Sequence, residues 1–328
     1  MKPGVAWQYD HEIAFMPGVP WLMRLGGQLI QLLRRSETMD PIDAVLGGAI
    51  ITNLVSLLAP VELYRLTRVT FPHMSPSQAA KPALIMAACT PSPPSLIAPY
   101  TEAVYAPLSL MTARLVREGK WGRAAITALI ATYTRANGFL LAGFFIYDLL
   151  VLPLLQDRRI PQQIIYRTAA AVIGVAAAIA PFIYTQWEAH ARLCPSAPFC
   201  SSALPLAYSH VQAKYWNNGW LQYWTVQQIP NFIISMPVYA AGVCAVVDAR
   251  KKLTVHALPH YILHSVILAL LFFFSNVQIA LRFATALPVL WWWVADRRHS
   301  AAGRYFIMWA QLWGYLSCVL WAAFLPPA

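Results

Sequence analysis

The sequence predicts an all-α, polytopic membrane protein, and three observations carry that prediction. Hydrophobic residues make up 59% of the 328-residue chain and charged residues only 11%, against about 25% charged in a soluble domain. The apolar residues fall into long runs along the whole chain. Lys and Arg gather at the ends of those runs, as in the cytosolic loops of membrane proteins. The formal net charge of +11 would suggest nucleic acid in a soluble protein. Here the clustering accounts for the charge, and no nucleic-acid partner is expected.

In chain order, residues 1–43 form an arm and an amphipathic helix. Apolar runs follow near 44–65, 80–92, 96–113, 124–134, 138–155, 165–185, 230–248, 256–275, 279–296 and 305–325. These are roughly ten candidate membrane helices or half-helices, several shorter than the ~20 residues of a straight span. Pro91, Pro93 and Pro94 divide the second run from the third, and "RANG" (135–138) divides the fourth from the fifth. Basic clusters lie at Arg65/Arg68, Arg114–Arg123, Arg158–Arg167, Arg250–Lys252 and Arg297–Arg304. If all five are cytosolic, Arg123 and Arg158 share a side, so residues 123–155 must turn back at "RANG". The far-side segments are then residues 1–43, the turns after 90, 134 and 274, the long loop 186–229 and the C-terminus. No repeat or low-complexity linker divides the chain, so residues 1–328 read as one membrane domain.

Nearly every unusual residue falls on the far side. Cys194 and Cys200 sit in the Pro-rich "RLCPSAPFCSS". A disulfide there implies an oxidising compartment; the other reading is two free thiols. Asp10 and Glu12 in "YDHEIAFMPGVPW" could activate a hydroxyl as general base, or belong to a solvated arm. Glu102 enters an apolar run, where an ionisable group is a functional candidate unless it is wet. Arg135 and Arg282 lie in apolar surroundings, and their planar forks suit phosphate or an ion pair with Glu102. His256, His260 and His264 recur at ligand spacing without an accompanying Cys or carboxylate, and read as a helix face. "LWWWVADRRH" (290–299) reads as an interfacial aromatic belt. "YWNNGWLQYWTVQQIPNF" (215–232) suits either sugar stacking or a helix in the headgroup layer. Phosphate-loop, dinucleotide, zinc-protease and serine-elbow motifs are absent from the sequence.

Five blocks, in order, resemble the GPI mannosyltransferase 2 family: "YDHEIAFMPGVP", "TPSPPSLIAPYTEAVYA", "TYTRANGF", "YSHVQAKYWNNGWLQYWTVQQIPNF" and "NVQIALRFATALP". The resemblance extends over essentially the whole chain, and the fourth block is the most specific. It implies a GT-C-type helical bundle in the endoplasmic-reticulum membrane with a lumenal active face. The implied donor is dolichol-phosphate mannose. The implied acceptor is a mannosylated glucosaminyl-phosphatidylinositol, which receives the second mannose of the GPI-anchor precursor in α1,6 linkage. Asp10, Glu12 and Glu102 become the catalytic acids and Arg135 and Arg282 the phosphate ligands. Tyr215, Trp216, Asn217, Gly219, Gln228 and Asn231 become acceptor contacts, with Gly219 letting the backbone turn close to a ligand. The Cys194–Cys200 disulfide and a small stabilising membrane subunit are implied as well. No metal ligands are assigned, and divalent-metal dependence is left open.

The chain departs from the family in places. The family's first membrane helix and the Trp-Asp pair after it would lie ahead of Met1. Gln222 stands where the family usually has Arg, Asn276 where it often has His, and "YTE" replaces "YSE". Two hypotheses follow: a lumenal mannosyltransferase, or a truncated or degenerate paralogue acting as a membrane subunit of GPI biosynthesis. Complementation of cells lacking the second mannosyltransferase separates them.

Overall fold

A computed structural model of the protein describes residues 10–157, 163–202, 205–250 and 253–324, without the side chains of Asp10 and Asp157. A 3-10 helix at Asp10–Ala14 precedes α1 (Gly18–Arg34), which pairs with α2 (Pro41–Ser56). Then come α3 (Leu58–Thr70), α4 (Pro76–Ala88), the one-turn α5 (Pro94–Ile97) and α6 (Thr101–Arg117). After α7 (Trp121–Thr134), α8 (Ala142–Ile146) and α9 (Leu152–Asp157) flank a π-helical turn at Tyr147–Val151. The chain ends in α10 (Ile164–Leu193), α11 (Ala207–Trp216), α12 (Ile229–Ala249), α13 (Leu258–Phe274), α14 (Ile279–Phe283), α15 (Pro288–Arg297) and α16 (Ala301–Ala322). No strand occurs among the described residues.

Every apolar run carries helix, but ten full spans do not result. Four stretches among the described residues are long and apolar enough to cross a membrane: Pro41–Thr70, Ala136–Gln156, Ile164–Leu193 and Val226–Ala249. Helices α4, α7 and α15 have 13, 14 and 10 residues, too short at 1.5 Å per residue for a ~30 Å hydrocarbon layer. The chain does turn at "RANG". Helix α7 stops at Thr134, Arg135 is extended (φ −152°, ψ 127°), and a 3-10 helix at Ala136–Leu141 begins the next segment. Within 186–229, helix continues to Leu193 and resumes in α11.

The basic clusters that are described meet at one end of the bundle. Buried Glu62 on α3 accepts from Arg114 Nε of α6 at 2.7 Å and from Arg65 at 2.9 Å. Arg117 lies 2.9 Å from Asp148 in the π-helical turn and 2.7 Å from His256 Nδ1. His256 sits between α12 and α13. Burial, and then Arg117, hold its imidazole below the ordinary value, so Nδ1 accepts and the ring is neutral. Asp248 of α12 receives Trp293 Nε1 at 2.8 Å and Arg297 at 2.9 Å. Arg158, Arg159, Lys251 and Lys252 lie outside the described residues.

The tryptophan run of α15 corrects the aromatic-belt expectation. Trp291, Trp292 and Trp293 are 0%, 7% and 9% exposed. Each indole has an internal acceptor: the Ala284 carbonyl, Thr67 Oγ1 and Asp248 Oδ2, all at 2.8 Å. A helix buried on all sides can hold three large aromatics in sequence, provided each N–H is satisfied. His260 packs between Phe144 and Trp292, with ring centroids at 5.0 and 5.2 Å, as the helix-face reading expects.

Helices α1 and α2 touch backbone to backbone. A Cβ added at Gly47 would lie 2.1 Å from the Gly26 carbonyl carbon, the small-residue packing that lets membrane helices approach closely. Gly47→Leu is therefore expected to destabilise the pair by about 1–3 kcal/mol or more. The measurement is thermal unfolding of purified protein in detergent, with exposed Ile50→Leu as the silent control.

Candidate functional site

At the end opposite the Glu62–Arg114 pair, three of the singled-out residues converge. Pro99 prevents helix from running into α6, Tyr100 is extended (φ −88°, ψ 158°), and Glu102 falls in the first turn of α6, where a carboxylate suits the helix dipole. Arg135 arrives from the extended residue after α7 and Arg282 from the last turn of α14. Glu102 Oε1 accepts from Arg135 Nη1 at 2.6 Å and lies 3.3 Å from Arg282 Nε. The Thr101 hydroxyl takes a hydrogen bond from Arg135 Nη1 at 2.8 Å and donates to Glu102 Oε2 at 3.0 Å. Arg135 also lies over the Phe283 ring at 4.7 Å, and Arg282 over Tyr100 at 5.9 Å.

The balance of this cluster is cationic: two guanidiniums share one carboxylate, and the Glu102 side chain is 3% exposed. Both carboxylate oxygens are engaged, so the geometry makes Glu102 a partner that orients two arginines. Arg135 Nε–H is buried with no hydrogen-bond acceptor among the described residues, and Arg282 Nε, though 3.3 Å from Glu102 Oε1, makes no aligned hydrogen bond. A buried donor left unpaired costs roughly 1–3 kcal/mol, and an anion with several oxygens would satisfy Arg135 and reach Arg282 as well.

The second assembly is the loop after α11. It closes the C-terminus of α13, whose last carbonyls have no partner within the helix. Gly219 N–H donates to the Phe274 carbonyl at 3.0 Å and Leu221 N–H to Phe273 at 2.7 Å. Trp224 Nε1 donates to Phe272 at 2.9 Å. Trp220 stacks on Phe273 at 5.4 Å, and Trp224 meets Phe272 edge-on at 5.0 Å. The two tryptophans and two backbone N–H groups of "NNGWLQYW" thus cap "FFF". Trp224→Phe keeps an aromatic side chain and removes the indole donor. It is expected to cost ~1 kcal/mol, read as a lower unfolding temperature with the Trp220 contacts intact.

Asn217 and Leu221 carry the left-handed conformations here, at φ 52° and 56°. Gly219 does not; a Cβ on it would meet the Gln222 side chain at 2.7 Å. It approaches Gln222 closely and bonds the Phe274 carbonyl through its N–H. A polar relay continues from the loop. Asn231 Nδ2 donates to Gln228 Oε1 at 2.7 Å and to the Tyr223 hydroxyl at 2.9 Å, and that hydroxyl donates to Gln278 Oε1 at 2.7 Å. Gln278 stands one helical turn before Arg282, so the relay joins the fourth block to the fifth.

The third assembly joins the first block to α11. His11 and Tyr215 lie 5.5 Å apart, and Phe15 meets Trp216 edge-on at 5.7 Å. Ile13, Ala189, Phe199, Ala207 and Val211 form a small separate core between them. Cys194 and Cys200 are joined by a disulfide beside it. Glu12 belongs to this 3-10 helix, as does the Asp10 backbone; the Asp10 side chain lies outside the described residues. Tyr208 links the assembly to the charged cluster. Burial pushes its phenol above the ordinary value while Arg135 pulls it back.

Glu102, Arg135 and Arg282 therefore share one site. Gln228 and Asn231 approach it through Tyr223 and Gln278. Tyr215, Trp216 and Asn217 lie with α11 and its cap, and Gly219 with the α13 terminus. Thr101, Tyr223 and Gln278 were missed by sequence reasoning. All three stand inside the quoted blocks; Thr101 adjoins Glu102 and Gln278 lies four residues before Arg282, a signal that Tyr223 lacks.

A family model described as Mannosyltransferase (PIG-V) matches residues 2–256. GPI mannosyltransferase 2 of Yarrowia lipolytica is 31% identical, over 98% of this chain and 82% of its own. The protein of that name from Cryptococcus neoformans is 29% identical, over 98% and 85%. Among solved structures, an oligosaccharyltransferase of Archaeoglobus fulgidus, in complex with Zn and sulfate, is similar in fold, with TM-score 0.50 and 14% identity. The match covers 92% of this chain and 44% of that larger one, and it shows the fold alone.

Proposed function

The chain belongs to the PIG-V mannosyltransferase family, and from that premise we propose that it adds the second mannose of the GPI-anchor precursor, in α1,6 linkage, from dolichol-phosphate mannose. The protein is a membrane glycosyltransferase of GPI-anchor biosynthesis. The donor, the linkage and a lumenal active face in the endoplasmic reticulum are the proposal. One observation carries the donor assignment: Arg135 and Arg282 share a single carboxylate, and Arg135 retains a buried Nε–H with no hydrogen-bond acceptor among the described residues. That arrangement suits the phosphate of a lipid-linked sugar, whose charge must be held as the sugar departs.

The acceptor is a mannosylated glucosaminyl-phosphatidylinositol. Its hydroxyl oxygen attacks C1 of mannose, and the bond from C1 to the phosphate oxygen breaks. The electron pair leaves with dolichyl phosphate on Arg135 and Arg282. The hydroxyl proton passes to a carboxylate of the first block, Asp10 or Glu12, whose 3-10 helix packs against α11. Glu102 positions the arginines and is not the base. Glu102→Gln is accordingly expected to slow transfer and to tighten dolichyl phosphate binding, because the competing anion is gone. Loss of the acidic limb of the pH–rate profile in that variant would make Glu102 the base instead.

The test of the whole reading is expression in cells lacking the second GPI mannosyltransferase. Rescue, with the one-mannose precursor converted to the two-mannose form, supports it. Failure to rescue by a stably expressed protein favours a non-catalytic subunit. Membranes lacking dolichol-phosphate mannose but supplied with GDP-mannose should give no transfer; product there would overturn the donor assignment.

A further inference from the structure

We propose that Phe283 is a positioning residue of the donor site: its ring face fixes the plane of the Arg135 guanidinium, and so the direction in which Arg135 meets the phosphate. This role rests on the donor reading above. Arg135 has little support from its own backbone, being an extended residue between α7 and the 3-10 helix that follows. Its hydrogen bonds to Thr101 and Glu102 both run through Nη1, so they anchor one corner of the fork. The far corner carries the Nε–H that has no acceptor among the described residues. What steadies it is a ring. Arg135 Cζ lies 4.7 Å from the Phe283 centroid, inside the ~6 Å over which an aromatic face attracts a guanidinium. The contact is largely dry, with the Arg135 side chain 15% exposed and Phe283 1%, and desolvation strengthens it.

The ring is itself held in place. Phe283 packs on Tyr105 with centroids 5.4 Å apart. Tyr105 is 2% exposed and stands one turn after Glu102 on α6, so the two share a face of that helix. One turn of α6 thus supplies the carboxylate at the edge of the guanidinium and the backing for the ring on its face. Phe283 also follows Arg282 directly in α14. That short helix sends one residue to Glu102 and the next against Arg135, which ties the spacing of the two guanidiniums to a single peptide. Arg282 repeats the arrangement over Tyr100, at 5.9 Å. A leucine at 283 would fill space but offer no negative ring face.

The test uses purified full-length protein in which Phe283 is replaced by mono-, di- and trifluorophenylalanine through codon suppression. Fluorine drains negative potential from the ring face and changes its shape little, so packing alone predicts a flat series. The kcat for transfer from dolichol-phosphate mannose should fall stepwise, by on the order of 10-fold at the trifluoro ring, with the KM for the acceptor unchanged. Phe283→Leu should match the end of the series. A second readout needs no activity. The unfolding midpoint in detergent should drop along the series in the wild-type background and stay level in the Arg135→Met background. A stepwise fall in both kcat and midpoint supports the proposal. A flat kcat series, or equal midpoint shifts in the two backgrounds, overturns it. A wild-type protein that takes mannose from another donor sinks the donor reading instead, and the midpoint comparison still decides whether the ring holds Arg135.

Discussion

Arg135→Ala is expected to lower mannose transfer by about 10²–10³-fold, the range seen when one preorganised donor to developing charge is removed. Arg135 bonds Glu102 and Thr101 through one nitrogen and retains a buried Nε–H. Losing it removes a donor to the departing phosphate and leaves Glu102 to Arg282 alone. Arg135→Lys should recover little, because a single ammonium lacks the planar fork that serves Thr101, Glu102 and phosphate together. Initial rates with purified enzyme and dolichol-phosphate mannose decide it. The fall should appear in kcat, since charge on the phosphate grows as the bond breaks. An Arg135→Ala enzyme with wild-type kcat contradicts the assignment.

Glu62→Ala is expected to be the most damaging substitution for stability, at about 3–5 kcal/mol. Glu62 is 1% exposed and bridges α3 to α6 through Arg114, whose side chain is 9% exposed. Truncation leaves that guanidinium buried with only Glu118 opposite it, at 2.8 Å. Arg65, 54% exposed, can turn to water. The paired change Glu62→Leu with Arg114→Leu removes both buried charges and should recover most of the loss. Thermal unfolding of the single and double variants in one detergent provides the comparison. A Glu62→Ala protein as stable as wild type would show that the pair is dispensable.

Hydropathy and the basic clusters made the helical class and the turn at "RANG" legible, because both depend on composition along the chain. The site was legible as residues and less so as geometry. Glu102, Arg135 and Arg282 stand out as charges in apolar runs, and their convergence follows from three helix ends meeting at one level. The partners they use do not stand out. Thr101 is an ordinary N-terminal helix residue until Arg135 reaches it across the bundle. The internal partners of the stretch 215–232 were hidden for a related reason. A Trp side chain that bonds a helix terminus has the same composition as one that stacks on a sugar. Nothing local to "NNGWLQYW" reveals that "FFF", some fifty residues later, ends in open carbonyls. The Trp291–Trp293 run shows the converse: its partners Thr67 and Asp248 come from distant helices, so a buried face resembled an interfacial one.

The proposed donor site is a phosphate held between Arg135 and Arg282. A structure of the full-length protein in nanodiscs with dolichyl phosphate bound tests it most directly. The prediction is phosphate oxygens about 2.7–2.9 Å from guanidinium nitrogens of both arginines, with Glu102 still on Arg135. Dolichyl phosphate seated elsewhere, with these two guanidiniums closed on Glu102 alone, would contradict the central claim.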